Sequence, residues 1–535
     1  MSHLLGDFDP AARWAAPGTE PLVGDELRAL LAQAFAIGED ELGAGSPAEV
    51  ALEVAPSALS EAARTALTAA VGGAAEHVDE DEPARAAHAN GMSYLDLIRR
   101  SAAPPAAPDA VVAPASHDEV GAVLRACADH AVAVVPFGGG TSVVGGVGPQ
   151  RGGFGAVIAL DLMRLDRLVE VDEVSWTATL QAGVTGPVAE ELLAQRGFTL
   201  GHVPQSFERA TIGGYAATRS SGQLSTGWGR FDALVEHVRV ATPSGDLDLG
   251  RAPGSAAGPD LKQLLLGSEG AFGVVTEVTV RVRPIPEVRR HEGWRVADLA
   301  AGIEVLRTLA QRGPKPDLAR LSDEAETAMG VATGGGSDGA GGCLLLVGWE
   351  GFADDVERRA AAATAILQGA GAVPLGQDAA ASWRHGRFRA PRLRDELLGA
   401  GLLVETLETA TRWRDLAALH ARVGEVLRGA LQGATPLVAC HVSHLYASGA
   451  SLYFTVLARR DGDDPVGQWT RAKAAVMDAL AASGATLTHH HAVGADHAPW
   501  LAAEDGELGV EILRAVKRRL DPAGILNPGK LLPPA

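Results

Sequence analysis

Apolar runs and helical spacing alternate along much of this chain. Val-rich runs, which favour buried strands, occur at 131–135 and, as three separate β-like runs, within 157–184. Helical spacing predicts helices over 118–130 and 187–196. From Asp109 onward this order of strand and helix favours an α/β or α+β domain.

Residues 1–105 are interpreted as a lead-in region. It holds a helix candidate at 24–36 and an Ala-rich, acidic stretch at 61–81, and the Pro104–Pro105 pair marks its end. In the second half of the chain, 344–349 and 452–457 are strand-like, while 354–368 and 414–427 have helical spacing. The Gly-rich stretch 334–342 predicts a flexible connection between them.

Composition narrows the function classes. A length of 535 residues favours two or three domains, and the net charge of -20 argues against non-specific binding of nucleic acid or of an anionic membrane surface. Cys127, Cys343 and Cys440 are scattered without CxxC spacing, so we expect neither a disulfide framework nor a metal site. Without a visible signal peptide or a bilayer-length apolar run, we expect a cytoplasmic protein, and the Ala, Gly and Arg content is typical of a GC-rich bacterial genome.

A glycine-rich turn, PFGGGTSVVGGV at 136–147, follows the strand-like run at 131–135. The consecutive glycines Gly138, Gly139 and Gly140 let the backbone turn tightly and approach a ligand, and Thr141 and Ser142 add hydroxyls. Successive exposed N–H groups form an anion-binding concavity, which predicts a phosphate or pyrophosphate cradle. The spacing matches neither GxGxxG nor a P-loop, and a plain tight turn is the alternative.

Two further segments have the same character. Small and hydroxyl residues crowd 201–235, and 267–287 is a glycine turn that leads into an alternating strand. Three backbone-exposing segments within about one domain length favour the phosphate cradle over a chance turn.

Together with LDPAGILNPGKLL at 520–532, these segments resemble the FAD-binding oxidoreductases of the vanillyl-alcohol oxidase and p-cresol methylhydroxylase superfamily over about 90–533. GHVPQS, SHLYASGASLYF and THHHAVG are more similar to the alkyldihydroxyacetonephosphate synthase family than to the D-lactate or glycolate dehydrogenases, whose HxGDGN-type segment is not found. The resemblance implies an α+β fold. Its parts would be a two-subdomain PCMH-type FAD-binding domain at 106–285, a cap domain with an antiparallel β-sheet flanked by helices at 286–500, and a C-terminal segment at 501–535 that returns to the FAD domain.

The resemblance also implies which residues contact FAD. They are Pro136, Gly138, Gly139, Gly140, Thr141, Ser142, Gly145 and Gly146 in the first segment, Pro204, Ser206, Thr211, Gly214, Ser221 and Gly222 in the second, and Glu269 and Val275 in the third. Relatives with a covalent flavin on this loop carry a histidine where Thr141 stands, so we expect non-covalent FAD. The alternative for the hydroxyl residues is that they only cap turns.

On the substrate side, the resemblance makes Tyr446 the residue that takes a proton from the substrate carbon next to the flavin. Because an unperturbed tyrosine has a pKa of about 10, this role requires a cationic or hydrogen-bonding neighbour. A buried tyrosine of a sheet is the alternative. His489, His490 and His491 are implied to line the same side, although neighbours in an extended segment face opposite ways, and a surface cluster or chance metal chelator is the alternative.

Substrate binding is assigned by resemblance to two arginines and three histidines. Arg320 and Arg394 would hold an anionic head group, because guanidinium binds phosphate or carboxylate with two parallel bonds, and ordinary surface charges are the alternative. His202, His441 and His444 complete this set. His441 and His444 replace an arginine and a glutamine of the family pattern, and Val203 and Gln205 replace two acids. These departures surround the substrate rather than the flavin.

The family activity exchanges the acyl chain of an acyl-dihydroxyacetone phosphate for a fatty alcohol through an adduct at flavin N5, a step of ether lipid synthesis. An FAD-linked dehydrogenase or oxidase of a 2-hydroxy acid or other alcohol is the alternative, and a non-catalytic flavin-binding protein is a third interpretation. The expected partner is a small-molecule or lipid-like anionic substrate. A peripheral membrane contact for a lipid substrate and a homodimer stay open.

Overall fold

The computed structural model describes residues 22–23, 25–35, 54–102, 106–332, 341–434 and 436–533. The chain divides into two compact units. Unit 1 comprises Met1–Glu49, Gly222–Gly229 and Pro284–His489, and unit 2 comprises Val50–Ser221, Arg230–Arg283 and His490–Ala535. The Gly-rich stretch expected to be a flexible connection lies, apart from Gly341 and Gly342, outside the described residues.

The strands of the described residues are numbered in chain order. They are β1 (Val78–Asp79), β2 (Ala110–Val112), β3 (Val132–Phe137), β4 (Ala156–Asp161), β5 (Leu168–Asp172), β6 (Thr177–Gln181), β7 (Phe198–Thr199), β8 (Val235–Thr242), β9 (Gly245–Leu249), β10 (Val274–Arg281), β11 (Arg283–Pro284), β12 (Val288–Val296), β13 (Leu318–Ser322), β14 (Cys343–Gly351), β15 (Val373–Gly376), β16 (Leu402–Arg412), β17 (Leu437–Ser443) and β18 (Gly449–Arg459).

The helices follow the same numbering. They are α1 (Asp25–Phe35), α2 (Glu61–Ala70), α3 (Glu82–Ala87), α4 (Tyr94–Ala102), α5 (His117–Asp129), α6 (Gly186–Ala194), α7 (Ile212–Thr218), α8 (Ser225–Trp228), α9 (Phe231–Leu234), α10 (Lys262–Leu265), α11 (Leu299–Arg312), α12 (Glu324–Ala332), α13 (Ala353–Gly369), α14 (Asp378–Gly386), α15 (Ala390–Gly399), α16 (Leu416–Ala430), α17 (Pro465–Ser483) and α18 (Leu501–Leu520), the last broken by a non-helical Gly506. None of these described helices is both long enough and apolar enough to cross a bilayer.

Unit 2 contains two larger sheets, and β7 pairs separately with β11. A four-stranded sheet has the order β1-β2-β4-β3, in which β4 runs parallel to both of its neighbours. A five-stranded antiparallel sheet has the order β5-β6-β10-β8-β9. Each sheet has its own apolar core, in which the Val and Ile side chains of the strands pack against helices such as α5 and α6.

The segment interpreted as a lead-in region contributes to the core of the four-stranded sheet. Helix α2 starts at the N-cap Ser60, whose side chain accepts the Ala63 N–H, and it buries Ala63 and Leu67 in that core. Strand β1 extends the sheet by pairing with β2. Helix α1, by contrast, belongs to unit 1, so the first hundred residues serve both units.

Unit 1 is a seven-stranded antiparallel sheet with the order β15-β12-β14-β13-β17-β18-β16. Its two longest partners, β16 and β18, pair over eleven positions from Leu402↔Arg459 to Arg412↔Gly449. The register aligns Ser322 with His441, His441 with Tyr453, and Tyr453 with Glu408. Because paired residues share a face, this row places polar side chains together on one side of the sheet.

These two units bear out the expected α+β class with an antiparallel sheet flanked by helices in the second half of the chain. The helix and strand predictions differ from the structure by one to three residues at most ends; for example, the helix expected over 414–427 spans Leu416–Ala430. Such differences are typical of spacing, which locates the buried face of an element better than its caps.

The C-terminal segment returns to the four-stranded sheet of unit 2. Val134 N–H donates to the Ile525 carbonyl at 2.8 Å, and Asn527 N–H donates to the Val134 carbonyl at 2.7 Å. The Asn527 amide donates to the carbonyls of Gly146, at 3.2 Å, and Glu269, at 2.6 Å. One buried side chain thus joins the first and third glycine segments to the C-terminus.

We expect Asn527→Ala to lower the free energy of unfolding by about 2 to 4 kcal/mol, because two buried carbonyls would lose their donor. Urea unfolding followed by circular dichroism measures the change. The control is Arg518→Ala on an exposed position of α18, which should alter stability by less than about 0.5 kcal/mol. Equal stability of the two variants would contradict the anchoring role of Asn527.

Candidate active site

The glycine turn at 136–147 lies directly against the second glycine-bearing segment within unit 2. A Cβ on Gly139 would be 2.0 Å from the Arg209 carbonyl oxygen, and one on Gly138 would be 2.5 Å from Thr211 Oγ1. Gly140 has φ +66°, a conformation that favours glycine. Glycine at 139 is therefore required for close packing against backbone, and glycine at 138 for close packing against the Thr211 side chain.

The turn also has backbone N–H groups that can donate hydrogen bonds to a ligand. The backbone N–H groups of Gly139, Gly140, Thr141 and Ser142 make no hydrogen bond to another residue in the described ranges. Consecutive N–H groups of this kind form the anion-binding concavity that the sequence predicts. The residues present therefore fit a phosphate-bearing cofactor at this turn.

Two of the hydroxyl residues that the resemblance assigns to FAD contact act as turn caps. Ser142 Oγ accepts the Gly146 N–H at 2.9 Å, and Thr211 Oγ1 accepts the Gly214 N–H at 3.2 Å as the N-cap of α7. For these two side chains the capping alternative describes what the structure shows. Pro204 and Ser206 precede α7 in a turn in which their carbonyls accept N–H groups from Phe207 and Ala210.

Ser221 is different, because its hydroxyl is buried and has no hydrogen-bond partner in the part of the chain that the structure describes. A buried hydroxyl without a partner costs free energy, so it fits a ligand atom that would complete it. Ser221 is the last residue of its stretch of unit 2, and Gly222, the next residue, begins a short stretch of unit 1.

Glu269, in the third segment, has a buried carboxylate that accepts hydrogen bonds from the backbone at 493–494. Its oxygens accept the N–H groups of Val493, at 2.9 Å, and Gly494, at 2.9 and 3.0 Å. Burial raises the pKa of Glu269 to about 7, although these hydrogen bonds and Lys530 favour its charged form. Val275, assigned to the same cofactor set, lies on β10 with its side chain in the apolar core.

The other glycines of the first and third segments also pack closely against neighbouring residues. A Cβ on Gly270 would be 2.7 Å from Pro136 Cγ, a Cβ on Gly146 would be 3.2 Å from Glu269 Oε2, and a Cβ on Gly145 would be 3.2 Å from Asp496 Oδ1. The four segments quoted for the resemblance thus lie in contact within unit 2.

Tyr446 lies in the loop between β17 and β18 of unit 1 and is 38% exposed, so it is not a buried tyrosine of the sheet. Several side chains hold the loop backbone: Trp413 Nε1 donates to the carbonyls of Tyr446 and Ala447, and Gln311 Nε2 donates to the Ala447 carbonyl at 2.9 Å. Thr226 Oγ1 accepts the Leu445 N–H at 3.2 Å. The ring therefore projects from a loop that is fixed on more than one side.

The tyrosine has the neighbour that its proposed chemistry requires. Its Oη lies 2.6 Å from His489 Nε2, and the His489 ring is stacked on His444 with ring centroids 5.1 Å apart. An imidazole at this distance can accept the phenolic proton. The structure therefore brings together Tyr446, His444 and His489 of the sequence-derived set.

A carboxylate that the sequence analysis missed sets the position of His489. Glu408, buried on β16, accepts the His489 N–H and the Thr488 hydroxyl, both at 2.6 Å. The signal that could have revealed it is the pair of acids in the otherwise apolar strand VETLETA, because an acid in a buried strand needs a polar partner.

A second polar cluster on the same sheet contains Arg320 and His441. Arg320 Nη1 lies 3.1 Å from His441 Nε2, and Arg320 Nη2 donates to Glu326 Oε1 at 2.8 Å. His441 Nδ1 lies 2.9 Å from the same Glu326 oxygen. Burial acts to raise the pKa of Glu326, but Arg320 and His441 outweigh it and lower the pKa to about 2. Glu326, on α12, was also missed by the sequence analysis.

Arg394 lies on α15 and is paired with its neighbour Asp395, with Nη2 to Oδ1 at 2.9 Å. The preceding arginine of the same helix, Arg392, pairs with Glu396. Arg394 thus sits on a different element from Arg320, and each carries a carboxylate partner.

The other predicted histidines lie in unit 2. His202 is buried among Tyr215 and Phe231, and its Nε2 is 3.1 Å from Ser220 Oγ. Burial, with the charge of His490 added, lowers the pKa of His202 to about 3, so its ring is neutral at physiological pH. His490 and His491 contact each other edge to face, with centroids 4.7 Å apart.

Comparison with known proteins agrees with this architecture. Residues 108–248 match the family model for an FAD binding domain, and residues 285–531 match that of the C-terminal domain of FAD linked oxidases. An alkyldihydroxyacetonephosphate synthase of Trypanosoma brucei brucei is 33% identical over 482 residues, which cover 85% of this chain and 78% of that protein.

Solved structures give the same result. An alkyldihydroxyacetonephosphate synthase superposes with a TM-score of 0.80 at 26% identity, covering 96% of this chain and 94% of the other. P-cresol methylhydroxylase with substrate bound has a TM-score of 0.70 at 15% identity, covering 90% of this chain and 99% of the other, which shows a shared fold. These matches in sequence and fold show that the chain is an FAD-dependent enzyme and belongs to the alkyldihydroxyacetonephosphate synthase family.

Proposed function

We propose that this protein exchanges the acyl chain of an acyl-dihydroxyacetone phosphate for a fatty alcohol. The observation that carries the proposal is the Tyr446–His489 pair on a braced, solvent-reaching loop, in a chain whose relatives include alkyldihydroxyacetonephosphate synthases. The exchange releases a fatty acid, takes up an alcohol and involves no net oxidation or reduction.

In this proposal Tyr446 is the general base. Its phenolic proton passes to His489 Nε2, 2.6 Å away, as the phenol oxygen takes the proton from the substrate carbon beside the carbonyl. Glu408 keeps His489 in place by holding its backbone N–H, so that the imidazole stays within reach of the phenol. The same imidazole can later return the proton.

FAD, when bound, supplies the electron-accepting centre beside the substrate carbon. We propose that the N–H groups of 139–142 hold its pyrophosphate, that Ser221 completes its hydrogen bonding with the cofactor, and that the attachment is non-covalent because Thr141 stands at the position of a linking histidine. Arg320 would bind the anionic head group through its remaining N–H donors.

The alternative is oxidation of a 2-hydroxy acid or another alcohol, and the same tyrosine favours it, because removal of a hydroxyl proton needs the same base. Two assays separate the reactions. Incorporation of a labelled fatty alcohol into product without flavin reduction supports the exchange. Anaerobic bleaching of the flavin by D-lactate or another 2-hydroxy acid, with no alcohol incorporation, would overturn it.

We expect Gly139→Ala to abolish FAD binding, because its Cβ would meet the Arg209 carbonyl at 2.0 Å and force the turn open. The ratio of absorbance at the flavin band to that at 280 nm measures the occupancy of purified protein. In the control Gly155→Ala, where a Cβ has no neighbour within 4 Å, the occupancy should match that of the wild type. Flavin that remains in the supernatant after acid precipitation of the wild-type protein would agree with non-covalent attachment.

We expect Tyr446→Phe to lower kcat by about a hundredfold or more while leaving FAD occupancy unchanged, because the variant loses only the hydroxyl that carries the proton. Steady-state turnover and the flavin spectrum provide the two measurements. Tyr453→Phe, which keeps the buried ring beside His441, is the matched tyrosine control and should retain most of the kcat. Full activity of Tyr446→Phe would exclude this tyrosine as the base.

A further inference from the structure

One oxygen of the Glu326 carboxylate contacts both Arg320 and His441. Oε1 accepts from Arg320 Nη2 at 2.8 Å and lies 2.9 Å from His441 Nδ1. Oε2 is buried and has no partner within the described ranges. Arg320 and His441 are therefore its charged and imidazole partners, and the Ser322 side chain adds a hydrogen bond that also lowers the pKa of Glu326.

The three contacts determine which nitrogen of His441 carries the proton. A guanidinium has only donors, so His441 Nε2, 3.1 Å from Arg320 Nη1, must be the acceptor in that contact. An ionised carboxylate has only acceptors, so His441 Nδ1 must be the donor to Glu326. Both conditions are met by the neutral Nδ1–H tautomer alone, because an Nε2–H would point at an N–H of Arg320.

The surrounding sheet keeps this geometry in place. The His441 ring stacks on Tyr453 with centroids 4.8 Å apart and planes 21° apart, which limits rotation of the imidazole. Strand pairing sets Ser322 beside His441 and Arg320 beside Ser443. Glu326 is held at the start of α12, where its N–H donates to Asp323 Oδ1 at 2.8 Å.

We propose that Glu326 is a positioning residue that sets His441 in its Nδ1–H tautomer, so that His441 Nε2 and the Glu326 carboxylate together aim the Arg320 guanidinium at the substrate head group. Of the five N–H donors of the guanidinium, two are used in this way, and the other three make no hydrogen bond within the described residues. The role of Arg320 in substrate binding rests on the proposed function, whereas the tautomer of His441 does not.

This arrangement also fixes the charge of the site. Glu326 balances Arg320, and neutral His441 adds none, so the cluster offers oriented hydrogen-bond donors with no net charge. A family pattern with an arginine in place of His441 would add a positive charge at this point.

The first experiment measures the tautomer on the purified protein without substrate. In ¹⁵N-labelled protein, the His441 resonances, assigned by their loss in His441→Asn, should show a pyrrole-type Nδ1 and a pyridine-type Nε2. In Glu326→Ala the two shifts should move toward each other or exchange, because the acceptor for Nδ1–H is lost. A protonated or Nε2–H form in the wild type, or unchanged shifts in Glu326→Ala, would overturn the proposal.

The second experiment measures kinetics with whichever substrate, acyl-dihydroxyacetone phosphate or a 2-hydroxy acid, the wild type turns over. Glu326→Ala should raise KM by about tenfold or more and change kcat by less than about threefold, because the binding donor is misaligned while Tyr446 is untouched. Glu326→Gln keeps an acceptor for Nδ1–H, so it should preserve the tautomer and restore most of the KM.

The control is Glu324→Ala, because Glu324 is an exposed acid on the same helix. The KM of this variant should stay within about twofold of the wild-type value. A tautomer that changes in Glu326→Ala with no change in KM would overturn the positioning role. If the wild type turns over neither substrate, the proposed function fails, and the shifts of His441 still decide whether Glu326 sets its tautomer.

Discussion

The close packing of Gly138 and Gly139 against Arg209–Thr211 is the constraint on which the cofactor-binding region depends. A Cβ at Gly139 would lie 2.0 Å from a backbone carbonyl oxygen, a distance that no small side-chain movement relieves. The proposed phosphate cradle therefore depends on a turn whose other face is packed against Arg209–Thr211.

Two buried polar side chains extend this constraint to the rest of the region. Asn527 joins the carbonyls of Gly146 and Glu269, and the Glu269 carboxylate in turn holds the N–H groups of Val493 and Gly494. Segments that are hundreds of residues apart along the chain thus share one hydrogen-bonded network. In a low-dielectric interior a hydrogen bond is electrostatically stronger than in water, so these bonds hold the segments that they join firmly together.

The sequence is informative where local pattern determines structure. Apolar, β-like runs located β3 and β4, alternation located β10, helical spacing located α5 and α13, and the four motifs sufficed for the family and for FAD. The same reasoning missed Glu326 and Glu408. Their roles depend on contacts between residues far apart along the chain, 81 positions for Glu408 and His489 and 115 for Glu326 and His441, and such contacts are not visible in the spacing of one element.

The segment before residue 105 was interpreted as a lead-in for a related reason. Its helix α2 has an ordinary amphipathic pattern, and spacing alone does not tell which sheet an apolar face covers. The structure shows that Leu59, Ala63 and Leu67 complete the core of the four-stranded sheet. A short strand of two residues, β1, is likewise too brief to give a periodic signal, although it pairs fully with β2.

The two polar clusters of the seven-stranded sheet divide the tasks of the proposed reaction. Tyr446 and His489 form a proton-transfer pair whose hydroxyl is reached by solvent, whereas Arg320, His441 and Glu326 form a cluster without net charge. A base must exchange protons, so it gains from a mobile proton shared between two atoms 2.6 Å apart. A binding residue must keep its direction, so it gains from contacts that orient its donors in advance.

The row that pairs His441, Tyr453 and Glu408 across three strands supports both clusters, since Glu408 holds the backbone of His489 while Tyr453 stacks on His441. A change in the register of β17, β18 or β16 would therefore disturb proton transfer and binding together.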